Sequence, residues 1–217
     1  MRVLVTAGPT REPIDAVRYL SNRSSGRLGY AIAAAAKAAG HTVTLVSGPT
    51  CIDPPRGVRL VRVGTALEMR REVLRAFRGA RAVIMCAAVA DWRPARAVRG
   101  KLRRDRIRRP VLRLVPNPDI LAELGRRKGR RLLVGFALEA AFGARGPRTG
   151  RSDPAVASAM KKLRRKNLDW IVLNGPATLD QERATLAALA RDGRVVLWKA
   201  LPKGRIAKAL VRLVLGR

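Results

Sequence analysis

The sequence is poor in the residues that most often announce a function. Its 217 residues include 2 cysteines and 1 histidine, and aromatics make up 4%. Cys51 and Cys86 form no CxxC pair, which excludes a disulfide framework as the organising device. A single His41, with no HExxH, leaves no recognisable zinc ligand set. His41 follows Gly40 where a helix should close, so a capping or solvent role is expected. So few aromatics leave little for the stacking platforms that read single-stranded nucleic acid. No run reaches the roughly 18 apolar residues of a membrane span, because the longest candidate, YAIAAAAKAAG, is broken by Lys37. The opening MRVLVTAGPT lacks the apolar core and cleavage site of a secretory signal. The expectation is a cytoplasmic protein with no membrane partner.

Acidic residues are also scarce. Against 46 Lys+Arg stand 15 Asp+Glu, for a formal net charge of +31. Such an excess favours polyanionic partners, either nucleic acid or phosphorylated metabolites. The basic residues are spread along the chain and are mostly Arg, with one dense stretch, RGKLRRDRIRRP (99–110). Binding to nucleic acid is therefore expected to be non-specific and lost in salt.

What is present is a regular alternation. RVLVTAG (2–8), HTVTLVSGP (41–49) and ARAVIMCAA (80–88) read as strands. GYAIAAAAKAAG (29–40) and TALEMRREVLRAF (65–77) read as helices. The second has Thr65 and Glu68 as a capping box and an apolar stripe of Leu67, Val73, Leu74 and Phe77. Residues 92–116 are basic and irregular and read as a flap. NPDILAELGRRKG then restores a helix, with Asn117 as N-cap and Pro118 at its first position. RLLVGFAL (131–138) is a buried strand, GARGPRTGRSDP a loop, DPAVASAMKKLRRK a helix capped by Asp153, and LDWIVLN a strand. A hairpin over 183–199 turns at Asp192-Gly193, and a terminal helix shows an apolar face at 206, 210, 213 and 214. The pattern predicts a single α/β unit over 1–217. Its sheet should be Rossmann-like and mostly parallel, with helices on both faces and an appended hairpin lobe.

In such sheets ligands bind beyond the carboxyl ends of the strands. A dinucleotide-binding oxidoreductase is one candidate, but the first turn, TAGPTREP, carries no GxGxxG, and no acidic residue ends the second strand. Nor is there a Tyr-x-x-x-Lys pair, since Tyr19 and Tyr30 are followed four residues on by Arg23 and Ala34. Ser24-Ser25-Gly26, just before the first helix, fits either plain N-capping by a serine or an anion held at the helix start. Taken alone, Cys86 reads as a small core residue and Phe136 as core. Lys101 alone reads as an exposed cation, and Lys162 with Lys166 as one basic helix face.

VLVTAGPTREPIDAVRYLSNRSSGRLGYAIAAAA, AAVADWRP, a following Lys101, NPDIL, VGFALE and KKLRRKNLDWIVLN occur in that order. Together they resemble phosphopantothenoylcysteine synthetase, the second half of the bifunctional coenzyme A biosynthesis protein. The resemblance covers roughly residues 1–175 well and the remainder loosely. It implies a ligase that joins 4′-phosphopantothenate to L-cysteine through an acyl-cytidylate made from CTP with Mg²⁺, releasing pyrophosphate and then CMP. It also implies roles. Asn22 would hold the acyl-nucleotide, and Arg18 and Ala88 would contact phosphopantothenate. Met85, Cys86, Ala87, Asp91, Lys101, Pro118, Asp119, Ile120, Leu121 and Phe136 would contact the nucleotide. Lys162 and Lys166 would meet the triphosphate, and Lys101 would carry the intermediate on to product. Lys101 is the sole lysine in its arginine-rich segment, which suits a role arginine does not fill. No metal ligand follows from the resemblance. The family's flavin-dependent decarboxylase precedes this region, so no flavin is expected here and a separate decarboxylase is a possible partner. Family members are homodimers, and the 183–199 hairpin is the candidate contact. The chain departs from the family pattern at Leu138-Glu139-Ala140 and at Gly175 after Asn174. Those departures leave the choice of CTP over ATP open.

Overall fold

Short apolar runs become the parallel centre of an eight-stranded sheet. The computed structural model describes residues 1–103, 109–143, 153–179 and 181–216. Residues 104–108 of the flap and most of the GARGPRTGRSDP loop lie outside the described residues. In chain order come β1 (Arg2–Ala7), a small hairpin of β2 (Arg11–Pro13) and β3 (Tyr19–Ser21), α1 (Arg27–Ala38), β4 (Thr42–Ser47) and β5 (Arg59–Arg62). Next are α2 (Ala66–Phe77), β6 (Ala82–Met85), β7 (Trp92–Pro94), β8 (Leu114–Pro116), α3 (Ile120–Arg126) and β9 (Leu132–Leu138). The chain finishes with α4 (Pro154–Arg165), β10 (Trp170–Asn174), β11 (Arg183–Ala190), β12 (Val195–Pro202) and α5 (Lys203–Leu215).

The sheet order is β5-β4-β1-β6-β9-β10-β11-β12. Its first six strands are parallel and its last two antiparallel. Strand order reverses between β1 and β6, which creates a crevice at their carboxyl ends. The expected hairpin, β11–β12, extends the main sheet at its edge. The base of the flap is a second small sheet in which β7 pairs with β8.

Alternate residues of each strand face opposite helix layers, as a period of two requires. Val3, Val5 and Ala7 pack with α1 and α5, whereas Leu4 packs with α2 and α4. Ile84 and Val134, both fully buried, sit with the first layer, and Val83 and Leu133 with the second. Each such side chain contributes roughly 1.5–3 kcal/mol of burial, so truncating Ile84 would weaken the frame that carries the site.

Helix ends follow the sequence in most places. Thr65 and Glu68 form the expected capping box, and Asp153 caps α4 through the N–H groups of Ala155 and Val156. Within α2 the buried stripe is Ala66, Met69, Val73 and Phe77. Leu67 lies outward at 45% exposure, since the helix meets β1 and β4 one residue further round than its leucines suggest. At α3 the cap is Asp119, whose carboxylate accepts from Ala122 N–H at 3.0 Å. Asn117 instead donates to Ala90 C=O at 2.9 Å and accepts from Arg93, so Pro118 lies ahead of the helix and not at its first position. His41 is buried: its N–H closes α1 on Ala36 C=O and its Nδ1 lies 3.4 Å from the terminal amine.

Candidate functional site

A cavity of about 870 Å³ opens at the switch point between β1 and β6. One wall is the crossover from β3 to α1, Asn22 to Gly29. A second is the run that leaves β6, Met85 to Asp91. The start of α3, the end of β9 with Phe136, and Lys162, Arg165 and Lys166 from the end of α4 add further walls, and Asn174, Ala184, Leu186 and Lys203 close the side towards β10 and β11.

The β3–α1 crossover is held from both sides. Ser21 Oγ donates to Thr10 C=O at 2.8 Å, and Asn22 Nδ2 donates to Val89 C=O at 3.0 Å and to Ala88 C=O at 3.4 Å. Asn22 thus ties the first crossover to the strand end across the switch point. Neither serine caps α1. The N-cap is Gly26, in the left-handed region at φ 78, with no side-chain cap bond. A Cβ there would approach Thr50 Cγ2 to 2.7 Å and the Gly8 backbone to 3.2 Å, so only glycine fits. The start of α1, with Ser24 and Ser25 ahead of it, faces the cavity without a side-chain acceptor in place, the arrangement that favours an anion.

The run from Met85 to Ala88 is fixed by backbone bonds. Thr6 Oγ1 accepts from Ala87 N–H at 3.1 Å, and Ala88 N–H donates to Gly8 C=O at 2.9 Å. Cys86 is half-buried in this wall. Burial pushes its thiol up to about 12, against the opposing influence of Lys203. Such a thiol is not a nucleophile at neutral pH.

Lys162 of α4 and Lys166 at its C-cap are each paired with a carboxylate. Lys162 Nζ donates to Glu139 Oε1 at 2.6 Å, and that oxygen also accepts from Ser158 Oγ at 3.1 Å. Lys166 Nζ lies 2.8 Å from Asp119 Oδ2 and 3.0 Å from its Oδ1. Burial works to raise the Asp119 carboxyl, but Lys166 and the Ala122 N–H outweigh it and bring the group below its usual range. Both ammonium groups thus line the cavity, each held by a carboxylate.

Of the residues singled out by resemblance, Asn22, Met85, Cys86, Ala87, Ala88, Asp91, Pro118, Asp119, Ile120, Leu121, Phe136, Lys162 and Lys166 all line this cavity. Arg18 and Lys101 do not. Lys101 is exposed on the flap, and Arg18 is turned to Asp15 and to the Leu102 carbonyl, which accepts from its Nη2 at 2.7 Å. Sequence reasoning missed Glu139 as the Lys162 partner, Arg165, and Lys203 at the start of α5. The alternation of strands and helices gives the ends of elements, but not which side chains two distant ends bring together.

An open, doubly wound sheet with a basic, helix-ended cavity at its switch point is an arrangement that favours an anionic ligand. The chain belongs to the family of the DNA/pantothenate metabolism flavoprotein C-terminal domain, whose model matches residues 1–216. Over 223 residues it is 41% identical to the coenzyme A biosynthesis bifunctional protein CoaBC of Vibrio cholerae, covering 98% of this chain and 52% of that protein. It is also 39% identical over 220 residues to a cysteine/cysteine sulfinic acid decarboxylase from an unknown prokaryotic organism, covering 99% of this chain and 58% of the relative. The crystal structure of the C-terminal domain of a coenzyme A biosynthesis bifunctional protein CoaBC matches with a TM-score of 0.80 at 37% identity, covering 98% of this chain and 93% of that one. The chain spans about half the length of the curated relatives it matches.

Proposed function

We propose that this chain is a phosphopantothenate–cysteine ligase of coenzyme A biosynthesis. A carboxylate oxygen of 4′-phosphopantothenate attacks the α-phosphorus of CTP, and pyrophosphate leaves. The amine nitrogen of L-cysteine then attacks the acyl carbon of the mixed anhydride, loses a proton, and CMP leaves. The observation that carries this reading is the switch-point cavity. It brings the strand end Met85–Ala88, the α3 start and the paired lysines of α4 around one volume large enough for a nucleotide with a second ligand beside it.

In this reading the nucleotide base lies against Met85–Ala87 and Phe136, where backbone groups and one aromatic face recognise it. Lys162 and Lys166 leave their carboxylate partners to meet the triphosphate, and the charge that builds at the α-phosphorus is offset by fixed cations. Asn22, braced on Ala88 and Val89, holds the acyl-nucleotide near the β1 end. Arg18 belongs to the phosphopantothenate end, and Lys101 acts on the acyl-nucleotide to carry it on to product. Single carboxylates, Asp91 and Asp119, line the cavity. That donor set suits a Mg²⁺ held mainly by phosphates and water, which would supply further charge neutralisation when bound. The decarboxylation named in one relative is left to the remainder of that protein, or to a separate partner. A homodimer joined through the 183–199 hairpin completes the reading; β12 is the sheet edge there, with Val195 45% exposed. Among the described residues no helix is long and apolar enough to cross a membrane, and a cytoplasmic location is proposed.

The test is pyrophosphate release. It should require phosphopantothenate together with CTP, with ATP a poorer donor, and CMP release should further require cysteine. No pyrophosphate with either nucleotide would remove the ligase reading, and equal rates with both would remove the preference for CTP.

A further inference from the structure

Lys101 and Asn22 lie far apart in the chain and on different elements, yet one set of contacts joins their supports. The loop 14–18, between β2 and β3, runs directly into Ser21 and Asn22. Across it lies the segment 98–102 of the flap. Val98 N–H donates to Ile14 C=O at 2.9 Å, and Ala16 N–H donates to Gly100 C=O at 3.1 Å. Gly100 has φ 86 and turns the chain immediately before Lys101. On the far side of Lys101 both backbone groups of Leu102 are held. Its N–H donates to Asp15 Oδ2 at 3.0 Å, and its C=O accepts from Arg18 Nη2 at 2.7 Å. Lys101 is therefore bracketed by bonded residues while its own side chain remains exposed.

Asp15 is the centre of this bracket. Its side chain is fully buried and divides its two oxygens between two tasks. Oδ1 accepts from Val17 N–H at 2.8 Å and Arg18 N–H at 2.7 Å, which closes the loop on itself. Oδ2 accepts from Arg18 Nε at 3.0 Å, from Arg18 Nη2 at 2.6 Å and from Leu102 N–H, which reaches across to the flap. The backbone turn needs Oδ1 alone, so Oδ2 is shared between the Arg18 guanidinium and the flap. The Arg18 guanidinium, aided by the backbone donors, holds this carboxyl well below the usual range, so it stays charged wherever the enzyme would work.

We propose that Asp15 is a positioning residue for the flap lysine: by clamping Leu102 it fixes Lys101 relative to Asn22 for the cysteine-dependent half of the reaction. This rests on the ligase reading and on the role it gives Lys101. Asp15 itself contacts neither substrate in this scheme.

The test compares Asp15→Asn, Lys101→Gln and the double variant, with the two half-reactions timed separately at saturating substrates. Asn keeps an oxygen for the loop turn but sets an amide against the Leu102 N–H and the Arg18 guanidinium. Asp15→Asn should leave pyrophosphate release within about threefold of wild type and slow cysteine-dependent CMP release by about tenfold or more, the scale of one lost charge-assisted bond. Hydrogen exchange over 98–102 should rise while that of β1 and β6 stays unchanged. The double variant should be no slower than Lys101→Gln alone, because both changes act through one lysine. Equal slowing of both half-reactions, additivity in the double variant, or wild-type CMP release with Lys101→Gln impaired would each overturn the positioning role alone. If Lys101→Gln and Asp15→Asn both leave the cysteine step untouched, the role of Lys101 falls first and the clamp falls with it. Should Asp15→Asn fail to fold, Asp15→Ser, whose hydroxyl can still close the loop turn, is read in the same assays with the same expected split.

Discussion

The end of β6 and the strap made by loop 14–18 with residues 98–102 hold residues assigned to the same reaction, but by different forces. Met85 to Ala88 extend from a strand whose Ile84 and Val83 are fully buried on opposite faces of the sheet. The strap carries Val17 at 62% exposure and Val98 at 41%, and its two segments are joined by four hydrogen bonds, one of them to the Asp15 carboxylate. Packing over both faces makes the first rigid, while exposed backbone bonds make the second free to open at modest cost. A nucleotide pocket benefits from a fixed wall. The lysine that acts after the intermediate has formed is set in place instead by a few bonds centred on Asp15.

The largest expected effect tests the rigid side. Ile84→Ala should cost about 2–5 kcal/mol of unfolding free energy, whereas Val17→Ala in the strap should stay within about 0.5 kcal/mol. Denaturant midpoints at unchanged m-value would measure both, and comparable losses would erase the distinction. Next comes Lys162→Ala. Removing one ammonium that meets a triphosphate should raise the nucleotide KM roughly 10–100-fold, from about 1.5–3 kcal/mol for a charged bond. It also removes the cation from the Glu139 carboxylate, which keeps the hydrogen bond from Ser158 Oγ. An unchanged KM would mean that the Lys162–Glu139 pair is structural and never opens.

How much of this could be read from sequence follows the same division. The β6 end was legible: ARAVIMCAA is a continuous apolar run, and residues just past such a strand fall at the switch point by topology. Lys162 and Lys166 were legible as a pair because helical spacing alone puts them on one face. Asp15 was not, because nothing in REPIDAVR distinguishes an acid that closes its own loop from one that also grips Leu102, 87 residues away. The α3 cap was misplaced for a similar reason. Asn117 and Asp119 are both good caps, and Arg93 and the Ala90 carbonyl, both remote in sequence, claim the first. His41, expected in a capping or solvent role, caps α1 through its backbone N–H to Ala36 C=O and is buried, so only the solvent alternative falls. Local pattern gives the frame, and tertiary partners decide among chemically equivalent side chains.

Acid should separate the two regions further. Asp15 is held below its ordinary value first by Arg18, with burial opposing and the Leu102, Val17 and Arg18 N–H groups adding to the effect. A depressed carboxyl contributes its full stability above the ordinary Asp value of about 4, and that contribution is lost as pH falls below it towards the folded value. Protection of the Leu102 amide, corrected for intrinsic exchange, should therefore be flat from about pH 5 to 8 and decline only below about pH 4. A midpoint near neutrality would assign the strap to some other group.

The smallest effect is a labelling contrast between the two cysteines. Cys51 is exposed, and Cys86 sits in the β6 wall with a thiol pushed up to about 12 by burial. At pH 8 only on the order of one Cys86 in ten thousand would be thiolate, the reactive form. Iodoacetamide should then modify Cys51 and spare Cys86, with Cys86 labelling appearing only as pH approaches the thiol's own value. Lys203 opposes the upward shift, so Lys203→Met should suppress Cys86 labelling further at any given pH. Because the reagent must also reach the thiol, labelling of Cys86 at pH 8 as fast as Cys51 would mean that the β6 wall opens as readily as the strap. The wall would then be no more fixed than the flap, and the contrast between a packed nucleotide pocket and a lysine placed by a few bonds would fail at its first side.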